Sequence, residues 1–401
     1  MLDLRAGFDV VNHPLLLMKL KEYGCDHNAM TWFSNYLCDR YQCVQIESSL
    51  SSILPVPWGV PQGSILGPLL FLIFLNELPD IIRDRELNNR EDEGQIIIFV
   101  DDNTPTISDK DPHKLLSRMH QTCDKVTNWF SMNDLTCSGE KTKLMIVGTR
   151  ANRRVKLVNM NPELIICGDE VKESQSEKLL GLTINNTLSW HHHLHGDEDN
   201  KGLLPTLSQQ VGILRKLRQF TPDRKFRQLV SGLFTSKMMY GATVWGGVWN
   251  IPGALEENRR KTYITKQDMR KLQILQNKVM RIQTRMKYDT PTNTLLAKTN
   301  TLSVHQSVAY YSLTQMYSVI TSQQPHHHFQ RLVEEDKTGP RTRSLQEKRI
   351  EFELSAGRGS FFYQASRLWA ALPSNVKSSN NKTAFKKACR KWTKQNITEK
   401  P

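Results

Sequence analysis

Asp101 and Asp102 stand side by side where a β-branched run meets a turn, in QIIIFVDDNTPTI. A third carboxylate, Asp3, lies on the short apolar stretch LDL, and Phe8 follows five residues later. Between them, Gln62-Gly63 sits in a glycine-rich loop, GVPQGSILGP, that opens a helix. Carboxylates from separate strands suit one demanding chemistry, nucleotidyl transfer by two metal ions held roughly 3.5–4 Å apart. One ion lowers the pKa of the attacking hydroxyl, and the other holds the triphosphate and the leaving pyrophosphate. Mg²⁺ fits because it takes hard oxygen ligands and keeps positions open for substrate phosphates. Each feature alone has a plainer reading: an Asp-Asp pair beside a strand is usually turn chemistry, and a Gly/Pro loop is usually only a loop. Their order and spacing together carry the argument.

The elements that must position these groups are readable from periodicity. LDL is a short strand; a helix starts at His13-Pro14, carries Leu16, Leu17 and Leu20 on one face, and ends at Gly24. A second helix is expected around TWFSNYLCDR, then a strand at YQCVQI. The Gly/Pro loop feeds an apolar helix through Asn76, and QIIIFVDDNTPTI reads as a β-hairpin. A helix from His113 to about Phe130, a strand around KLMIVG, and the hairpin-like LIICGDEVKE and EKLLGLTINN follow. After Trp190 the texture is helical: LSQQVGILRKLRQF, DRKFRQLVSGLFTSKMMYG and KLQILQNKVMRIQTRM, with a linker, GVWNIPGALEEN, before the last. Loop signals lie near QPHHHF and KTGPRTRS, and the chain closes on a basic amphipathic stretch, KTAFKKACRKWTKQN.

Composition narrows the partners. Of the 401 residues, 38% are hydrophobic and 23% charged, enough for two or three packed units. No stretch reaches the ~18 apolar residues of a membrane helix, and the N-terminus lacks the pattern of a signal peptide. Seven scattered cysteines without a CxxC pair point to a reducing compartment, nuclear or cytoplasmic. The net charge of +14 is split: residues 201–401 hold 35 Lys+Arg against 12 Asp+Glu, and residues 1–200 hold 19 against 28. A basic half beside an acidic half suggests a polyanion-gripping surface joined to a metal-gathering region, so the second half is expected to bind RNA and DNA with little sequence preference. The runs His191-His192-His193-x-His195 and His326-His327-His328 have metal-ligand types but sit where solvated histidines are the plainer reading. Tyr240, Trp245, Trp249 and Tyr288 are candidates for stacking on bases, with helix packing as the alternative.

LDLRAGFDVVNHPLLLMKL resembles the first catalytic motif of non-LTR retrotransposon reverse transcriptases, and WFSNYLCDRYQCVQI, GVPQGSILGPLLFLIFLNELP, FVDD, EKTKLMIVG and KLLGLTINNTLSW are similar to successive blocks of that family. LRKLRQF and YGATVWG resemble its thumb; LQILQNKVMRI, TPTNTLL, LSVHQ and FKKACRKW are looser matches. The resemblance implies an α+β fold: a right-hand polymerase palm, an antiparallel sheet with helices, over 1–190, a helical thumb over 191–250 and a mostly helical basic region over 251–401. It implies an RNA-directed DNA polymerase using two Mg²⁺ ions, an RNA template, a DNA primer and deoxynucleoside triphosphates, with oligomeric state left open. Asp3, Asp101 and Asp102 take the metal-ligand positions, Phe8 the steric gate against a ribose 2′-hydroxyl, Gln62 and Gly63 the nucleotide and template contacts. Lys141 takes the place of a lysine that protonates pyrophosphate or holds the triphosphate. Asp9 is expected to be structural, capping the helix after it.

The chain departs from the family where Arg5 and Gly7 replace small residues, Val100 replaces an alanine and Ser138 an asparagine. The family places fingers before the first motif, so the fingers are expected to be absent, the Asp3 strand frayed, and this chain inactive alone. Two other readings stand beside the polymerase: a catalytically inactive nucleic-acid-binding remnant, and an RNA-synthesising palm polymerase, which Phe8 disfavours.

Overall fold

The computed structural model describes residues 1–82, 94–157, 163–252, 264–324, 333–335, 345–347 and 361–397. His326-His327-His328, KTGPRTRS and the end of the GVWNIPGALEEN stretch lie outside them. The chain divides into two compact units, Met1–Glu177 and Lys178–Pro401.

The first unit mixes helix and sheet. Its strand Asp3–Leu4 pairs antiparallel with Cys137–Ser138, Asp3 opposite Ser138. On the other edge Leu2 exchanges both backbone bonds with Asn103, at 2.7 and 3.3 Å. Asn103 belongs to the antiparallel hairpin Gln95–Phe99/Asp102–Thr106. The N-terminal segment therefore lies between two neighbours; Arg5 N–H donates to Thr136 and the Met1 amine to the Lys143 carbonyl. Leu2 and Leu4 are buried, which supplies the reason for the pairing. The expected fraying is corrected: the strand is tied down on both edges.

Helices pack on these strands by apolar faces. Leu66–Leu75 buries one face, with Leu70, Phe71, Phe74 and Leu75 fully buried, while Leu69 and Leu72 on its other face are exposed. His13–Glu22 starts where the Asn12 side chain accepts from Leu15 N–H, with Pro14 in the first turn, and buries Leu16 and Leu20. Its buried Lys19 ammonium is satisfied by Glu77 at 2.8 Å and the Phe74 carbonyl at 3.1 Å. Pro112–Met132, capped by Asp111, buries Val126, Trp129 and Phe130.

Two strand expectations need correction. KLMIVG makes a single parallel bridge, Leu144 to Glu173, before Thr149 caps the helix Arg150–Lys156 and turns the chain away. YQCVQI splits into Tyr41–Gln42, paired with Leu54–Pro55, and Gln45–Ile46, paired with Ser49–Leu50; all are exposed, so no buried face enforces one long register. LIICGDEVKE forms its own hairpin, Glu163–Ile166/Asp169–Lys172.

The second unit is helical beyond the hairpin strand Leu182–Asn185. Leu203–Leu217 and Lys266–Thr284 pack together, and Asp223–Leu229 runs through the π turn Val230–Thr235 into Ser236–Met239. Val304–Ser322, opened by a Ser303/Gln306 capping box, packs against Phe361–Ala370 and Lys382–Asn396. Trp245, Phe226, Leu272, Val308 and Phe385 are core residues. Trp245 is thus helix packing rather than a base platform; Tyr288 is exposed with the Arg281 guanidinium 5.2 Å over its ring.

Candidate active site

The sequence places three carboxylates on neighbouring antiparallel segments. Phe99 pairs with Asp102, so Val100 and Asp101 form a two-residue turn, and Val100 takes φ +60°. A positive φ at the first central position suits glycine; on a β-branched residue it stores on the order of 1–3 kcal/mol of strain. Asn103, fully buried, holds this turn by donating from Nδ2 to the Asp101 carbonyl at 2.9 Å. Its backbone joins Leu2, and so the hairpin brings Asp101 and Asp102 beside the strand that carries Asp3. Burial pushes the Asp102 carboxyl upward, and the charges of Asp101 and Asp3 push it further. Lys141, exposed, reaches Asp3 with its ammonium 3.7 Å from Oδ2.

The glycine-rich loop lies against the segment after Asp3. Gly59 N–H donates to Val11 O and Val60 N–H to Phe8 O, each at 2.8 Å. Gly59 has φ +85°, and a Cβ there would stand 2.7 Å from the Asp9 carbonyl oxygen, so only glycine allows this approach. Gln62 donates from Nε2 to Asp9 Oδ1 at 2.7 Å, while Gly63 is exposed at φ +78°. The capping role expected of Asp9 is corrected here. The helix begins four residues later and Asn12 caps it, leaving the Asp9 carboxylate to hold Gln62. The Phe8 ring is half-buried and stacks on Phe71, centroids 4.6 Å apart. Arg5 is exposed, so its bulk points into no packed space; a Cβ on buried Gly7 would meet Phe71 Cζ at 3.0 Å.

Asn103 is the residue that sequence reasoning missed, and Asp9 the one it gave the wrong partner. Asn103 carried a signal, a polar residue on the strand directly after the paired aspartates. The histidine run is occupied otherwise: His195 Nε2 meets Asp268 Oδ1 at 2.8 Å, and Thr183 N–H faces His193 Nδ1 at 3.4 Å. Burial lowers His193 to about 4, with a smaller contribution from Lys237.

The donor set at Asp3, Asp101 and Asp102 fits a hard divalent cation by its chemistry: oxygens only, with mutual repulsion that raises Asp102. Among the described residues no group of three or more His, Cys, Asp or Glu side chains is placed to hold a metal ion, so Asp3, Asp101 and Asp102 share neighbouring segments without converging on one ion position.

Residues 1–184 match the family model described as reverse transcriptase (RNA-dependent DNA polymerase). Residues 1–184 are similar to the reverse transcriptase domain of non-LTR retrotransposons. Over 193 residues, 48% of this chain, it is 28% identical to the RNA-directed DNA polymerase from mobile element jockey of Drosophila melanogaster, covering 20% of that protein. Over 195 residues, 46% of the chain, it is 27% identical to the Pol polyprotein from type-1 retrotransposable element R2 of Popillia japonica, covering 30% of it. A longer match, 320 residues and 78% of the chain, is 23% identical to the probable RNA-directed DNA polymerase from transposon BS of Drosophila melanogaster, covering 31% of it. The chain thus spans about a fifth to a third of these relatives. The matched range contains the seven positions given metal, nucleotide or phosphate roles by the resemblance, Asp3, Phe8, Gln62, Gly63, Asp101, Asp102 and Lys141.

Proposed function

We propose that this chain performs RNA-templated DNA synthesis on a primed end, with deoxynucleoside triphosphates as substrates and two Mg²⁺ ions as cofactors. One observation carries the reading: Asp3, Asp101 and Asp102 are brought to adjacent antiparallel segments by the Leu2–Asn103 pairing. When bound, the ions supply Lewis acidity to the attacking hydroxyl and to the leaving pyrophosphate. The three carboxylates hold and orient them. Lys141, beside Asp3, is placed to hold the triphosphate or give a proton to the departing pyrophosphate. Phe8, backed by Phe71, bars a ribose 2′-hydroxyl; Gln62, fixed by Asp9, and Gly63 meet the nucleotide and template base. In this reading 1–190 is a palm, 191–250 a thumb and 251–401 a basic region that contacts nucleic acid. No helix of the described residues is long and apolar enough to cross a membrane, and we place the protein in the nucleus or cytoplasm.

Primer extension on an RNA template in Mg²⁺ tests this, with the chain alone and with a relative's fingers segment joined before Met1. Incorporation of deoxynucleotides is expected in at least one form. Asp101→Asn should lower it by about 10²–10³, the usual cost of losing one transition-state stabilising group. Silence in both forms, with duplex binding intact, would leave the chain a binding remnant.

A further inference from the structure

The final helix, Lys382–Asn396, violates two rules that isolated helices obey. Lys382 and Lys386 stand at its N-terminal end, where the helix dipole is positive and a cation is unfavourable. Lys382/Lys386, Lys386/Arg390, Lys387/Lys391 and Arg390/Lys394 are four like-charge pairs at i,i+4, each destabilising by a few tenths of a kcal/mol. No acidic residue offsets them. Residues 354–398 hold nine Lys+Arg and no Asp or Glu. The helix survives because its other face is deep in the core: Phe385 and Cys389 are fully buried, Trp392 nearly so, and Phe385 stacks on Tyr317 at 4.0 Å. Local rules broken without local compensation are expected where function requires them.

We propose that the exposed face of this helix is a docking surface for the phosphate backbone of a nucleic-acid duplex, built from residues other than the carboxylate site. Lys382, Lys386, Lys387, Lys391 and Lys394 have no ion-pair partner among the described residues, and all five are exposed. They run along about 18 Å of helix at a rise of ~1.5 Å per residue. Lysines are point charges suited to phosphate, without the planar fork that reads guanine edges. The exposed face presents no aromatic ring, so it offers no platform on which single-stranded bases could stack. A duplex, whose charge is all on its outside, is the polyanion that fits. An anionic membrane fits less well. A helix that lies in a bilayer surface sinks its apolar face into the lipid, and here that face is already committed to the protein core. The inference rests on the reading of 251–401 as a region that contacts nucleic acid and names the surface; it needs no polymerase turnover, because binding alone reads it.

The test is equilibrium binding of the full chain to an RNA·DNA duplex across a salt series. Each phosphate contact contributes about 0.9 to the slope of log K against log salt on a duplex. The triple substitution K386Q/K387Q/K391Q should lower the magnitude of the slope by about 2 to 3. K386R/K387R/K391R should leave it unchanged, and so should K21Q/R154Q/K172Q, which removes three exposed charges from the first unit. The melting temperature of the Gln triple should equal or exceed that of the parent, since three of the four like-charge pairs are relieved. Asp101→Asn should not alter the slope, which separates this proposal from the polymerase reading. A slope shift below about 0.5 for the Gln triple, or an equal shift for the first-unit triple, would overturn it. So would loss of binding to phosphatidylserine vesicles in the Gln triple while its duplex slope stays that of the parent.

Discussion

Phe8 packs within the first unit and is proposed to gate the sugar, and one substitution separates the two. Its ring rests on Phe71 inside the first unit while its other side stays open. As a gate it acts by sterics alone, so Phe8→Ala should reduce the preference for dGTP over GTP, in kcat/KM, by about 10- to 100-fold, within the range one small steric difference commands. As packing it should cost stability as well, on the order of 2 kcal/mol for a half-buried ring. The two readouts are independent. A lowered urea midpoint with an unchanged sugar preference would show that Phe8 is packing only. The same two-sidedness explains what single residues disclosed in the sequence. The paired aspartates were visible because a β-branched run and a turn bracket them. Asp9 was misread because its partner, Gln62, is 53 residues away, and no local pattern encodes a contact of that range.

At the scale of elements, legibility followed locality. The 95–106 hairpin was readable because its two strands are joined by two residues. Helices with caps and apolar stripes were readable for the same reason. The strand expected at KLMIVG failed because its pairing is interrupted: Lys143 bonds Met1, Leu144 bridges Glu173 once, and neither partner continues alongside it. The closing helix shows how an element's two faces divide the labour. Phe385 is fully buried between Tyr317 and Trp369, with ring centroids 4.0 and 5.8 Å away. Phe385→Ala should therefore cost about 3–5 kcal/mol, transfer and cavity together. It should appear as a lowered urea midpoint at unchanged m-value. The lysines on the opposite face should be neutral or better when made uncharged. Equal losses from both faces would mean that the helix is held by its charges, against everything its burial pattern implies.

For the whole molecule, stability toward acid draws on two buried histidines, one of which, His193, the sequence had suggested was solvated. His305, in the LSVHQ block, is fully buried; its Nε2 accepts from Trp249 N–H at 3.0 Å, so its neutral form is the one the fold holds. Burial lowers its pKa to about 4, and burial lowers that of His193 to about 4 as well. Both lie in the second unit. In the unfolded chain each titrates near 6.5. Between pH 6.5 and 4 the unfolded state therefore binds more protons than the folded one, and folding stability must fall as the pH falls. The loss is absent above about 6.5 and complete near 4, and each histidine contributes at most about 1.4 kcal/mol per pH unit. Carboxylates titrate mostly below 5, so the window from 6.5 to 5 isolates the histidines. His305→Gln keeps an oxygen that can accept from Trp249 but cannot gain a proton. The parent should lose melting temperature steadily between pH 6.5 and 5, and His305→Gln should lose distinctly less, whatever its own starting stability. A variant whose acid slope matches the parent's would show that His305 is solvated or charged in the native state, and that the depression of its pKa by burial is not real.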